Sequence, residues 1–128
     1  MEPLLRYVDA VTMPVPDLDS GLAFCRDRLG HRLLWRHEGA AGLALPDAET
    51  ELVLTVRHAY EPNWKVASAD DATRKLTSHG AEVIAGPHDI PIGRLAVVRD
   101  PFGNPLVVLD STKGRYQVGD DGNLLGVR

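Results

Sequence analysis

The sequence predicts an α+β protein made of two tandem βαβββ modules. In each predicted module an apolar strand leads into a helix that starts near an aspartate and ends at a glycine, and three short strands follow. The helix starts, Asp17 and Asp70, are 53 residues apart, and the closing glycines, Gly30 and Gly80, are 50 apart. A repeat of this period indicates the architecture before any motif is considered.

The first module is expected to occupy residues 1–58. Apolar and β-branched residues at 11–15 predict its first strand, and the following helix places Leu18, Leu22 and Cys25 on one face. Because Cys25 lies on this apolar stripe, we expect a buried thiol and not a reactive one. Three strands should follow, in HRLLWRHEG, AAGLALP and TELVLTVRH, since Gly, Pro and Asp separate these apolar segments.

The second module is expected at residues 59–111 and repeats this order. WKVAS predicts a strand, ADDATRKLTSHG a helix, and AEVIAGP, GRLAVVRD and NPLVVLD three further strands. Strand alternation directs Trp64 toward the helix. Residues 112–128 read as a polar tail whose Asp-Gly turn could support a short hairpin.

Composition narrows the range of partners. The 128 residues include 14 Lys+Arg and 18 Asp+Glu, for a formal net charge of −4, and they form no basic stripe of the kind that nucleic-acid binding requires. No apolar run reaches the roughly 20 residues of a membrane span, so we expect no membrane partner. The N-terminal residues lack the pattern of a secretion signal, which predicts a cytoplasmic protein.

Two motifs identify a family resemblance. PVPDLDSGLAFCRDRLG resembles the first helix of the vicinal oxygen chelate superfamily, the glyoxalase, bleomycin-resistance and ring-cleaving dioxygenase group, and DPFGNPLVVLD resembles its closing strand. The resemblance runs from about residue 5 to residue 111. It implies an eight-stranded mixed sheet that curves into a U-shaped cleft, usually completed by a homodimer.

The resemblance also implies positions for a metal. Metal-using members hold the ion with His, Gln or Glu from the first and last strand of each module, and those positions fall here on Ala10, Val53, Asn63 and Val107. Divalent cations need charged or imidazole donors, which aliphatic side chains do not provide. We therefore expect no metal and no other cofactor, with a divalent metal kept as the alternative.

Strand alternation selects the side chains that would line the cleft. Glu51 is the candidate general base, because burial beside an aliphatic neighbour can raise the pKa of a carboxyl group. Trp35 offers an aromatic platform, and Arg94 could reach an acidic group of a ligand. The expected ligand-binding residues are Trp35, Val53, Arg57, Asn63, Arg94 and Val107.

Three functions are compatible with such a cleft. The first is metal-free binding of a small organic molecule, as in the drug-sequestering resistance proteins of this superfamily. The second is a metal-dependent lyase, isomerase or dioxygenase. The third is a metal-free enzyme in which Glu51 acts as base on a substrate polarised by Arg57 or Asn63. The sequence leaves open the ligand, whether any reaction occurs, and whether a dimer would be swapped or side by side.

Overall fold

The computed structural model describes residues 2–128, which divide into two compact units. We call residues 9–62 with 117–126 the first module, and residues 2–8, 63–116 and 127–128 the second module. The chain is thus interleaved, whereas the sequence suggested contiguous modules that meet near residue 58. Backbone hydrogen bonds explain the difference, since the amide of Arg6 donates to Lys65 O at 3.0 Å and the amide of Arg36 donates to Gly122 O at 2.7 Å.

The first module contains four sheet strands in the order β2-β3-β4-β1, with β1 parallel to β4 and the other pairs antiparallel. Its helix begins after Asp17, whose carboxylate accepts a hydrogen bond from Ser20 N at 2.7 Å. The first five residues of this helix are α-helical, and the helix continues from Ala23 as a π-helix. Its elements are β1 (Tyr7–Pro14), α1 (Leu18–Leu22) with the π-helix Ala23–Arg28, β2 (Leu33–His37), β3 (Ala40–Leu45) and β4 (Ala48–Thr55).

The core of the first module joins the helix to one face of its strands. Leu22 and Cys25 from the helical segment pack with Leu43 and Leu54 from the sheet, and each is at most 1% exposed. The expected burial of Cys25 is confirmed, and desolvation raises the pKa of its thiol. The interior of this module is therefore aliphatic, as the spacing on the helix predicted.

The second module has the strand order β5-β8-β7-β6, with β5 parallel to β8 and the remaining pairs antiparallel. Val108 and Ala96 form its core with Ala69 of the helix, and Trp64 packs against this cluster, as alternation predicted. Its elements are β5 (Glu61–Lys65), α2 (Ala69–Ser78), β6 (Glu82–Ile90), β7 (Gly93–Arg99) and β8 (Pro105–Leu109).

A buried carboxylate joins three parts of the second module. Asp110 is 2% exposed and accepts hydrogen bonds from Ala69 N at 2.7 Å, Arg94 N at 3.0 Å and Thr112 Oγ1 at 2.8 Å. Burial acts to raise the pKa of this carboxyl group, but the hydrogen bonds outweigh it and the pKa is lowered. Gly93 makes this contact possible, because a Cβ there would lie 2.2 Å from Asp110 Oδ1.

The α+β class predicted from the sequence is confirmed, with eight sheet strands and two helices in a mixed arrangement. The tail adds β9 (Tyr116–Val118) and β10 (Leu124–Val127), which pair as a two-stranded hairpin. Across residues 2–128, none of the helices combines the length and the apolar composition that crossing a bilayer requires.

Candidate functional site

Two predicted site residues meet on the first module. The indole Nε1 of Trp35, on β2, donates a hydrogen bond to Glu51 Oε1, on β4, at 2.6 Å. Both side chains are half-buried. Because β3 lies between these two strands, the hydrogen bond crosses a whole strand on the face opposite the helix. The result is an aromatic ring fixed beside an oriented carboxylate.

Gly42 on β3 makes this crossing possible. A Cβ at Gly42 would lie 2.1 Å from Trp35 Nε1 and 2.7 Å from Glu51 Oε1, so any side chain there would occupy the place of the hydrogen bond. Sequence reasoning missed this residue. The sequence did contain a signal for it, because a glycine inside an apolar strand such as AAGLAL often marks a place where another group approaches the backbone closely.

Aliphatic and hydroxyl side chains continue the same face toward β1. Val53 pairs with Gly42 on one side and with Thr12 on the other, and Ala10 pairs with Glu51. The Thr12 hydroxyl lies 2.6 Å from Ala59 O, to which it donates, so its polar atom serves the fold. This face therefore presents little polarity besides the Trp35–Glu51 pair.

Strand register shows which positions of the two modules correspond. In the second module Asn63 pairs with Val107, and the amide of Val66 donates to Leu109 O. In the first module Thr12 pairs with Val53, and the amide of Val15 donates to Thr55 O. The counterpart of Val107 is therefore Val53, and the counterpart of Asn63 is Thr12. A count from Asp70 misses this correspondence because the second helix is capped by Ser68, two residues earlier.

These four positions do not fit a divalent cation. The side chains of Ala10, Val53 and Val107 have no donor atom, and Asn63 offers only an amide. Throughout residues 2–128, His, Cys, Asp and Glu side chains nowhere come together in threes in a way that could hold a metal ion.

The corresponding face of the second module is aliphatic. Val107 is 5% exposed and pairs with Asn63 on β5 and with Val97 on β7. Leu109, also 5% exposed, continues this row. Asn63 is half-buried at the margin of these side chains. As predicted from alternation, Val108 lies on the opposite face, in the core.

Two predicted arginines lie outside these faces. Arg57 follows the end of β4, is exposed, and lies close to Gly39 in the β2–β3 turn. Arg94 is on the helix face of the second module, where its guanidinium contacts Asp70 at 3.0 Å and Asp89 at 3.2 Å. These contacts raise the pKa of Arg94, first through the hydrogen bond to Asp70. The structure thus assigns Arg94 to an ion-pair network.

Two sequence comparisons place the chain among known proteins to different extents. The model of the Glyoxalase/Bleomycin resistance protein/Dioxygenase superfamily matches residues 64–108. A sequence comparison with curated proteins found no match. The sequence evidence for the family thus comes from the second module, which contains the core strand with Val108.

Solved structures share the fold over most of the chain. Methylmalonyl-CoA epimerase from Mycobacterium tuberculosis has a TM-score of 0.68 and 19% identity, covering 85% of this chain and 90% of its own. The Streptomyces coelicolor methylmalonyl-CoA epimerase in complex with 2-nitronate-propionyl-CoA has a TM-score of 0.67 and 18% identity, covering 84% and 99%.

A third solved structure of this fold is named after a different enzyme. NAD-dependent benzaldehyde dehydrogenase from Legionella pneumophila has a TM-score of 0.67 and 18% identity, covering 80% of this chain and 98% of its own. At such identities the likeness concerns the fold and not the chemistry. The superfamily model thus matches part of the second module, and the solved structures share the fold over most of the chain.

Proposed function

We propose that this protein binds a small organic molecule on the face of the first module that carries Trp35, Glu51 and Val53, without the metal centre of its superfamily. The observation that supports this most directly is the hydrogen bond from Trp35 Nε1 to Glu51 Oε1, which fixes both groups across Gly42. Small-molecule sites combine an apolar surface with a few well-placed polar groups, and this face has that composition.

The chemistry of the pair suggests the kind of ligand. An indole ring favours flat apolar groups, and a carboxylate favours groups that donate hydrogen bonds. Val53, which pairs with Gly42, adds an aliphatic side chain to this face. A planar molecule that carries an amine or another N–H donor suits this face better than a planar acid does.

A matched pair of probes tests the proposal. We expect 2-naphthylmethylamine to bind more tightly than 2-naphthoate in isothermal titration calorimetry. Trp35→Leu should weaken both probes, whereas Glu51→Gln should remove only the preference for the amine. Glu82→Gln, which changes the same charge at an exposed site on β6, is the control. Equal affinity for both probes in the wild-type protein would contradict the proposal.

Metal content is tested separately. Protein purified without chelator should contain no stoichiometric transition metal, and Ni²⁺, Mn²⁺ or Zn²⁺ should leave its melting temperature unchanged. By comparison, a ligand at 100 times its Kd stabilises a protein by about 2.7 kcal/mol. A tightly bound ion that is lost in Glu51→Gln would favour the metal-dependent alternative instead.

A metal-free enzyme is the second candidate, because a carboxylate held at 2.6 Å by an indole is oriented as a general base must be. The test is incubation in deuterium oxide with methylmalonyl-CoA, after which an epimerase of this fold is named. Loss of the α-proton signal by NMR, abolished by Glu51→Gln, would establish this function. A binding protein should leave the signal unchanged.

The expected homodimer is part of the proposal, because clefts of this superfamily are usually completed by association. Light scattering coupled to size exclusion should give twice the 13.9 kDa mass of the chain. A monomer at the concentrations used for binding would show that the first module presents its ligand face unaided.

A further inference from the structure

The C-terminal hairpin is attached to the edge of the first module through its turn. The amide of Arg36 donates to Gly122 O at 2.7 Å, and Arg36 and Asn123 form a parallel bridge. Gly122 also lies against Leu33, since a Cβ there would come within 2.9 Å of Leu33 Cδ2. The turn is itself braced, because Asp121 Oδ1 accepts a hydrogen bond from Asn123 N at 3.0 Å.

The attached turn forms one wall of a groove. The groove runs between the start of α1, the β2–β3 turn and the hairpin, and its volume is about 660 Å³. Apolar side chains of Leu18, Val56 and Leu124 contribute to its lining. Ligand sites typically have volumes of about 300–1,000 Å³, so the groove has the size of a small-molecule site.

This groove lies apart from the Trp35–Glu51 face. Trp35 and Arg36 are consecutive on β2, so their side chains point to opposite faces of the strand. Trp35 reaches over Gly42 to Glu51, and Arg36 contacts Asp19 on α1 at 3.0 Å. A ligand in the groove would therefore meet the helix side of the first module.

The charged residues around the groove are mostly acidic. Asp17, Asp19 and Glu38 line it together with one arginine, Arg36, which pairs with Asp19. The hydrogen bond from the Ser20 amide lowers the pKa of Asp17, so this carboxylate is charged at neutral pH. Three carboxylates and one guanidinium leave the lining with a surplus of negative charge.

We propose that this groove is a second ligand site, which takes a small cationic amphiphile: an amine on a short apolar body. The apolar body would contact Leu18, Val56 and Leu124, and the ammonium group would lie beside Glu38 at the mouth. The apolar lining distinguishes the groove from a merely acidic surface, and the hairpin, which lies outside the eight-stranded sheet, supplies part of that lining.

Three probes with one apolar body test the charge requirement. We expect 4-phenylbutylamine to shift the amide resonances of Gly39, Val56 and Leu124 in a ¹⁵N-HSQC titration, while 4-phenylbutanol shifts them less and 4-phenylbutyrate leaves them unchanged. Glu38→Gln should lower the affinity for 4-phenylbutylamine by about two- to fivefold, as expected for a solvent-accessible ion pair. Raising the salt concentration should lower the affinity of the wild-type protein for this amine as well.

Matched variants make the outcome decisive. Glu49→Gln removes the same charge from an exposed position of the same module near the opposite end of β4 and should leave the affinity for 4-phenylbutylamine unchanged. Leu124→Ser should weaken the binding of both the amine and the alcohol, and its HSQC spectrum reports whether the fold is retained. Glu51→Gln should have no effect here, so this proposal and the proposed function can fail independently. Equal binding of the amine and the butyrate, or equal effects of Glu38→Gln and Glu49→Gln, would overturn it.

Discussion

Trp35 and Glu51 are 16 residues apart in the chain, and their side chains meet at 2.6 Å over the glycine of an intervening strand. A hydrogen bond to an ionised acceptor is worth about 1.5–3 kcal/mol, more than one between neutral groups. The hydrogen bond thus both stabilises the fold and orients the Glu51 carboxylate, and each of these effects can be tested.

Replacing Gly42 with alanine should break this pair. The added Cβ would lie 2.1 Å from Trp35 Nε1 and 2.4 Å from Trp35 Cε2, so the indole must move. We expect a loss of about 1–3 kcal/mol in the free energy of unfolding, measured by urea denaturation, as for other overpacked sites. Gly119→Ala is the control, because its nearest neighbour would be the flexible side chain of Asp121 at 3.2 Å. Equal stability of Gly42→Ala and the wild type would contradict the geometry.

A double-mutant cycle should measure the pair directly. Trp35→Phe removes the N–H donor, and Glu51→Gln removes the charge of the acceptor. Because the side chains are in contact, we expect a coupling energy of about 0.5–2 kcal/mol in unfolding experiments. Trp64→Phe with Glu51→Gln is the control cycle, since Trp64 packs against the core of the second module. Additive effects in the first cycle would mean that the hydrogen bond contributes nothing to stability.

Asp110 should make the free energy of unfolding depend on pH. Its pKa in the folded protein is lowered, so its contribution is present above about pH 4, the ordinary range of an aspartate, and is lost as the pH falls through the lowered value. Asp110→Asn should cost about 2 kcal/mol at neutral pH, because an amide cannot accept all the hydrogen bonds that the carboxylate accepts. The same variant should flatten the decline in stability between pH 5 and 2.

The matched control for this prediction is Asp120→Asn, an exposed carboxylate in the β9–β10 turn. Chemical denaturation of the three proteins across this pH range provides the measurement. If Asp110→Asn keeps the acid dependence of the wild type, other carboxylates are responsible for it.

Cys25 should be protected from reagents while the protein is folded. The thiol is 1% exposed, and desolvation raises its pKa, so both access and thiolate content are low. We expect Ellman's reagent to react at least about 100-fold more slowly in buffer than in urea, because reaction requires opening of the core. Fast labelling under native conditions would show that the helical segment opens easily.

Helical spacing and strand alternation in the sequence predicted which side chains face the core. Leu22 and Cys25 lie on the buried stripe, and Trp64 and Val108 lie in the second core, because alternation and helical spacing encode a face. They do not encode which residue lies opposite on the next strand. Ala10 and Thr12 share a face, so only the observed register shows that Thr12, and not Ala10, lies opposite Val53.

The hydrogen bond across Gly42 was beyond prediction for a related reason. It joins two strands that are not neighbours, and its existence depends on the missing side chain of a third residue. The face of Arg94 depends on the same kind of information, because only the pairing of Ala96 with Val108 shows that Arg94 lies on the helix side of β7.

The interleaved chain has a consequence for how the protein is made. The turn that closes the edge of β2 contains Gly122, so the first module obtains this backbone partner only after residues 63–116 of the second module have been synthesised. Likewise, the amide of Arg6 obtains its partner only after Lys65 has been synthesised. During translation, the edge of β2 therefore stays open while most of the second module is being made.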